Sequence, residues 1–434
     1  MVCSSAQVLK ERPRVSPIPG RYCRFCGPLI GLRPPRGPSP PTKTWILKPP
    51  TPLGGLPSAA RKKTHPNTMD VNLGQNGIAI LGGGVAGLAV LAALHREGIR
   101  AEIFDRAPSP DPRGMGFILM PNGVAAVRDL FPALDWPRIS RQLDTAHLAS
   151  SDGTIIQRQR LSHTLCVSRT GLINGMTRAL PAGRVHYNAM VVSAGMEGDH
   201  LHGVQLADGT EVRAGAFLGC DGVGSRARRW LHPRRELNPV RYFELLSLMP
   251  APLISARLGN TFRKFYSPGG KLAVGIVPFG DSVVWFVQMD RTLKDMLHWR
   301  PAEVGAHFRE LLANWPDPVP ELLATTDFSG SHVWPVSDLD PLPNYHRGNL
   351  LLLGDAAHPM LSFTSQGAGS ALEDAVLLAP LLRGITTPDG FAGAFAEFDR
   401  LRRPQCSAWV AAGQDLYQAF CEPRTSANRV PLVN

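Results

Sequence analysis

Acidic residues are nearly missing from the first 68 positions of this chain. One acid, Glu11, stands there against twelve Lys or Arg, so the segment holds the whole formal charge of +11. The remainder is balanced, which removes the usual reason to expect a nucleic-acid-binding surface on the folded body. Long apolar runs are missing from the same segment, so it does not read as a secretory signal. Its 14 prolines, of 40 in the chain, oppose the amphipathic helix of a transit peptide. Too little apolar surface is present to offset the entropy of ordering, and residues 1–68 are expected to be a disordered, basic, Pro-rich tail.

Cysteine is sparse too, seven in 434 residues. Cys23 and Cys26 form a C-x-x-C without a second pair, while Cys3, Cys166, Cys220, Cys406 and Cys421 are scattered. That pattern predicts no metal site and no disulfide framework, and it fits a reducing, cytoplasmic setting. Gly77–Leu94 alone approaches the hydrophobicity of a membrane span. Its glycines and its strand–helix break explain it better, so no stable membrane insertion is expected. The length suggests two or three domains with ample core.

What is present is organised around Ile78–Asp105, IAILGGGVAGLAVLAALHREGIRAEIFD. A short apolar run, Ile78–Leu81, reads as a buried strand. Gly82, Gly84 and Gly87 follow in the spacing G-x-G-x-x-G and open a helix that Gly98 stops. Gly82 permits the tight turn, Gly84 admits a pyrophosphate to the backbone, and Gly87 lets helix and strand pack closely. The helix start offers unpaired N–H groups and partial positive charge to phosphates. A second strand, Ala101–Phe104, ends on Asp105, 18 residues past Gly87, where a carboxylate can bind both ribose hydroxyls. An acid there disfavours a 2′-phosphate, so the adenosine belongs to FAD or NAD. No second strand–G-x-G-x-x-G–helix unit follows.

Further along, Phe117–Met120 reads as a strand and Pro121 to about Leu130 as a helix. Residues 146–161 suggest a hairpin around Asp152-Gly153, and Arg169–Leu180 a helix. Val185–Gly195, Gly203–Leu206 and Glu211–Arg213 read as strands. Ala216–Gly219 is a buried strand running into Cys220-Asp221-Gly222. Phe262–Tyr266, Leu272–Pro278 and Val283–Met289 read as antiparallel strands rich in aromatics, facing a small molecule. Pro301–Asn314 reads as a helix. Asn349–Leu353 is a strongly apolar strand that delivers Gly354-Asp355, and Gly367 to about Ala379 is the helix behind it. Asp355 can accept hydrogen bonds from a polyol, and the helix start near Gln366 can face developing negative charge.

Taken in order, GGGVAG with Asp105, the helix of Arg169, Asp221-Gly222, and Gly354-Asp355 with its helix resemble the single-component FAD-dependent aromatic hydroxylases, typified by para-hydroxybenzoate and salicylate hydroxylases. The likeness runs from about Gly77 to Arg403. It implies an α/β fold, a Rossmann-like FAD-binding domain with an inserted antiparallel-sheet substrate domain. The expected division is 76–145, 163–232 and 341–400 for FAD, 146–162 and 233–340 for the substrate sheet, and 401–434 for a C-terminal helix and tail. By resemblance FAD contacts Gly82, Gly84, Ala86, Gly87, Asp105, Arg106, Gly116, Arg169, Asp221, Asp355, Gln366, Gly367 and Ala368, while NADH or NADPH binds transiently near Asp221. The family usually has Pro and then Gly-Gln-Gly beside the flavin; this chain has Ser362 and then Ser365-Gln366-Gly367.

The implied chemistry is a monooxygenase of the kind found in secondary metabolism. NAD(P)H reduces FAD, dioxygen adds to it, and a C4a-hydroperoxide hydroxylates or epoxidises an apolar aromatic or heteroaromatic compound. A phenol, enol or NH/OH heterocycle would first be deprotonated, which needs a base or a stabilising cation. Tyr242, Arg263, Tyr266 and Trp285 are expected at the substrate, with His163 another open candidate; His358 is the candidate catalytic side chain, although the resemblance implies that it is mostly a packing residue beside the flavin loop. Phe262, Phe265, Tyr266, Trp285 and Phe286 can stack on an aromatic ring, half of such a stripe being core. Between Tyr242 and Gln288 the acids are Glu244 and Asp281, which disfavours a polycationic substrate. A monomer or homodimer is expected. The rival readings are a flavin reductase or dehydrogenase on the same fold and a non-enzymatic nucleotide-binding scaffold.

Overall fold

The computed structural model describes residues 70–110 and 115–423. The tail 1–68 lies outside the described residues. Within them no helix is long and apolar enough to cross a membrane.

Six strands form the first sheet, in the order His346–Arg347, Leu350–Leu352, Ala216–Gly219, Ile78–Leu81, Ala101–Phe104, Val185–His186. Only the edge pair His346–Arg347 with Leu350–Leu352 is antiparallel. The four central strands are buried throughout, as unbroken apolar runs covered on both faces must be. Leu81 pairs with Phe104 and with Gly219, and Gly219 pairs with Leu352. The strands therefore end level, and Gly82, Asp105, Asp221 and Asp355 all follow at the same carboxyl edge, where open parallel sheets take ligands.

The second sheet has eight strands, in the order His332–Val336, Tyr242–Pro250, Ser282–Asp290, Leu272–Phe279, Thr261–Tyr266, Ser140–Ser150, Ile155–Ser168, Gly116–Leu119. Its pairs are antiparallel except Thr261–Tyr266 with Ser140–Ser150, which run parallel, so the expected antiparallel sheet is mixed. The predicted hairpin at 146–161 is longer at both ends and breaks register twice. One face of this sheet packs Phe243, Leu245, Phe265, Trp285 and Val287 into a separate core with the helices Pro301–Leu311 and Val319–Thr325.

A smaller four-stranded sheet carries Val191–Glu197, His200–Leu206 and Glu211–Arg213. The run expected as one strand from Val185 to Gly195 splits because Asn188 turns left-handed at φ +56°. The helix Val85–Arg96 packs on Gly367–Leu381, and the 34-residue helix Pro388–Cys421 buries Phe391, Phe395 and Phe398 against the first sheet's core.

Candidate active site between two sheets

Between the carboxyl edge of the first sheet and one face of the second lies a cavity of about 440 Å³, a size suited to small-molecule sites. Gly84, Ala86, Gly116, Arg169, Asp355, Gly367 and Ala368 line it from the expected cofactor set.

The three fingerprint glycines behave differently. Gly82 has φ +112°, and a Cβ there would lie 2.4 Å from the Cys220 carbonyl oxygen. A Cβ on Gly87 would lie 1.9 Å from the Gly82 oxygen, whereas one on Gly84 would meet nothing within 4 Å. Two glycines are thus required by packing, and the third leaves open space at the helix start where a phosphate fits. Asp105 accepts from the Gly83 amide at 2.5 Å and from Ala107 at 2.7 Å, which holds its carboxylate at the strand end. Arg106 is exposed and does not line the cavity.

Asp355 opens into the cavity on a turn held from behind. The enclosing protein pushes its pKa up, against the pull of His358, Arg169 and Arg228. Arg228, 4% exposed, donates to the Asp355 and Ala356 carbonyls at 3.1 and 3.0 Å and also to the Val223 carbonyl. It ties the loops after two neighbouring strands together, a task that its place in a run of arginines did not reveal. Asp374 accepts from the Gly354 amide at 2.8 Å, from Arg402 Nε at 2.7 Å and sits 2.9 Å from His358 Nε2.

His358 thus sits where the packing reading puts it, away from the cavity that a catalytic role would need it to reach. It is 3% exposed, does not line the cavity, and belongs to the clamp behind the turn. Cys406 lies close enough that His358, Asp374 and Cys406 resemble a three-ligand metal cluster, but the Asp374 oxygens are already engaged by Arg402, His358 and Gly354.

Asp221 Oδ2 accepts from the Arg226 and Ala227 amides at 2.6 and 3.2 Å, the first two of the helix Arg226–Leu231, which Ser225 caps. Its Oδ1 is buried without a partner among the described residues. Gln366 is buried and accepts from Asn122 at 2.8 Å, leaving Gly367 and Ala368 at the cavity wall.

On the second sheet, side-chain alternation sorts the substrate candidates. Phe262, Lys264, Glu244, Leu246, Val284, Phe286 and Gln288 face the cavity. Arg263 and Trp285 occupy the intervening positions and do not; Trp285 is fully buried in the far core and donates to Thr326 at 3.1 Å. Tyr266 lies beneath Lys264 rather than at the wall, and Tyr242 is fully buried with its hydroxyl 2.8 Å from Ser362 Oγ. Neither lines the cavity, and His163 does not either. Phe286 fits because Gly275 lies opposite: a Cβ there would sit 2.1 Å from the ring.

The loop departures also acquire a geometry. Ser365, where the resembling family has Gly, is left-handed at φ +53°. Ser362, where that family has Pro, donates its amide to the Tyr242 hydroxyl at 3.1 Å, a bond that proline cannot make.

Open space at Gly84, the orphaned Asp221 oxygen and the carboxylate facing the cavity fit a flavin dinucleotide. Residues 177–410 match the family described as "FAD binding domain". A 3-amino-4-hydroxybenzoate 2-monooxygenase of Streptomyces platensis is 31% identical over 356 residues, which cover 76% of this chain and 84% of that protein. A 6-hydroxynicotinate 3-monooxygenase of Bordetella bronchiseptica is 29% identical over 82% of this chain and 99% of its own length. Among solved structures, Klebsiella pneumoniae HpxO complexed with FAD and uric acid superposes with a TM-score of 0.72 at 21% identity, covering 80% of this chain and 89% of that one.

Proposed function

This chain belongs to the FAD-dependent aromatic hydroxylases, and on that premise we propose that it hydroxylates an apolar aromatic or heteroaromatic small molecule at the expense of NAD(P)H and dioxygen. The protein is an FAD-dependent monooxygenase; the substrate class is the inference. One observation carries it: the loops at the carboxyl edge of the first sheet open onto the same cavity as the apolar, aromatic face of the second.

Bound there, FAD supplies electron transfer from NAD(P)H and the activation of dioxygen. The chain's own part is binding, orientation and exclusion of water. Gly84 and the start of the helix Val85–Arg96 receive the phosphates, Asp105 the ribose, and Asp355 the ribityl hydroxyls. The N-terminus of Gly367–Leu381 offers its amides to negative charge at the ring. Phe262, Leu246, Val284 and Phe286 make an apolar wall that holds a flat ring and keeps water out.

The FAD-binding part is assigned to 76–145, 163–232 and 341–400, and the substrate part to 146–162 and 233–340. The first set supplies the loops with Gly84 and Asp355, the second the strands with Glu244, Lys264 and Phe286. Cys166, Cys220, Cys406 and Cys421 are free thiols among the described residues.

The test is direct. Purified protein should show the paired near-ultraviolet and blue bands of flavin. A phenolic or heteroaromatic substrate should stimulate NAD(P)H oxidation, and oxygen-18 from labelled dioxygen should enter the product. Equal product formation without dioxygen would instead establish a reductase or dehydrogenase.

A further inference from the structure

Lys264 is 6% exposed, and its Nζ donates to Gln288 Oε1 at 2.6 Å. The other end of that amide donates to Glu244 Oε1 at 3.0 Å and to Ser362 Oγ at 3.2 Å. These hydrogen bonds orient the amide, because its oxygen must face the ammonium and its nitrogen the carboxylate. Lys264, Gln288 and Glu244 come from three different strands, yet all line the cavity. The rings of Tyr266, Phe363 and Phe286 lie 5.1, 5.2 and 5.7 Å from the ammonium.

An ammonium in so apolar a place costs free energy unless an anion offsets it. Glu244 is that anion, one amide away. The lining's charged groups fall into two sets. Arg169 and Asp355 belong to the cofactor side, and Lys264 and Glu244 to the sheet that faces the substrate. A purely apolar ligand would need neither member of the second set.

We infer that Glu244 and Lys264, joined through Gln288, form the substrate-activating pair: the carboxylate takes the proton of an acidic O–H or N–H on the ring, and the ammonium holds the anion left behind. The inference rests on the aromatic-substrate reading above. The step balances within the pocket. Substrate X–H and a carboxylate become X⁻ and a carboxylic acid, Lys264 stays an ammonium, and the enclosed charge is unchanged. No ion has to cross the apolar wall, which is the expensive move in a low-dielectric site. Ser362, the loop residue that departs from the resembling family's proline, bonds to Glu244, Gln288 and Tyr242 at once, so the pair is wired to the loop beside the cofactor site.

Burial raises the Glu244 pKa, while its bond to Ser362 and the charge of Lys264 oppose the rise, leaving a carboxylate readier than usual to accept a proton. The other titratable or charged groups facing the pair are Tyr242, Cys166, Cys220, Arg169 and Asp355. Burial pushes Tyr242 and Cys220 up and Cys166 to about 12, so these three stay protonated near neutrality. Asp355 is raised as well by the protein that encloses its side of the cavity, but it faces Arg169 and Arg228.

The experiment uses flavin-loaded enzyme without NAD(P)H and para-nitrophenol as the probe, because its phenolate is coloured and its phenol is not. At a pH below the probe's solution pKa, the unaltered enzyme should bind it as phenolate. Glu244→Gln should bind it as uncoloured phenol. Lys264→Met should lose roughly tenfold or more of phenolate affinity, the worth of one charge-assisted hydrogen bond, while its affinity for nitrobenzene stays unchanged. Lys264→Gln is the second variant should Lys264→Met not fold, and bound flavin reports folding for each. Absence of the phenolate band in the unaltered enzyme, or an undiminished band in both Glu244→Gln and the lysine variant, overturns the inference. Because no turnover is measured, that failure is separate from failure of oxygen-18 incorporation, which tests the monooxygenase reading.

Discussion

His358 Nε2 lies 2.9 Å from Asp374 Oδ2, and the same oxygen accepts the Gly354 amide at 2.8 Å. A buried imidazole thereby supports, through one carboxylate, the turn that carries Asp355. Burial alone would raise the Asp374 pKa, but His358 and Arg402 outweigh it and hold the group below the ordinary carboxylate range. For His358, burial pulls the pKa down, and Cys406 and Asp374 overcome it and hold it well above 6.5.

Asp374→Ala leaves His358 buried without its anion and leaves Arg402 with Glu373 alone, at 2.9 Å, and it should cost roughly 3–5 kcal/mol, read as a loss of thermal or urea stability. The protonated imidazole contributes stability that is fully present below its unfolded pKa. That contribution is lost as pH rises through its raised folded value. The unaltered protein should therefore lose stability with rising pH from about 6.5 upward. His358→Asn should flatten that part of the profile, as melting temperatures across a pH series would show.

Gly84 and Gly87 stand three residues apart in one motif but should fail differently. Gly87→Ala forces a Cβ to within 1.9 Å of a backbone oxygen, so folding itself should suffer. A Cβ at Gly84 meets no protein atom within 4 Å, so Gly84→Val should fold with an unaltered circular-dichroism spectrum while losing flavin. Asp355→Ala should weaken flavin retention by roughly 1.5–3 kcal/mol, a single charged hydrogen-bond acceptor's worth. Wild-type flavin content in Gly84→Val would contradict the phosphate assignment.

Ser365 adopts φ +53° beside the cavity, a conformation that a side chain makes costly. Ser365→Gly should stabilise the protein by about 1 kcal/mol, since the strain is roughly of that size. Ser362→Pro should do the opposite, because it deletes both the amide donor to Tyr242 and the hydroxyl bonded to Gln288. Thermal melts of the two single variants check both signs.

The cofactor side was legible because its information is local. Strand, glycine turn, helix and acid occupy one stretch, Ile78–Asp105, and Gly82 and Gly87 are each demanded by a backbone oxygen beside them. The substrate side was not, because strand alternation decides it and a one-residue slip reverses the face. Arg263 and Trp285 looked suitable by chemistry, yet their neighbours Lys264 and Phe286 reach the cavity. Glu244, Lys264 and Gln288 are brought together only by the pairing of strands, which no local pattern in any one of them encodes.

That off-by-one relation yields the last prediction. Trp285 and Phe286 are sequence neighbours on opposite faces, so truncating each should separate stability from recognition. Trp285→Ala removes a fully buried ring that bonds to Thr326 and meets Phe328 edge-on at 6.2 Å. It should cost roughly 3–5 kcal/mol of stability with little change in para-nitrophenol affinity once folded. Phe286→Ala removes a ring from the cavity wall over Gly275, so a new space opens at that wall. Its stability loss should be smaller, because the ring is only partly buried, while para-nitrophenol binding weakens and bulkier phenols gain relative affinity. Melting curves and probe titrations on the two variants decide it. Equal probe affinity in Phe286→Ala and the unaltered enzyme would mean that the substrate does not rest on this face.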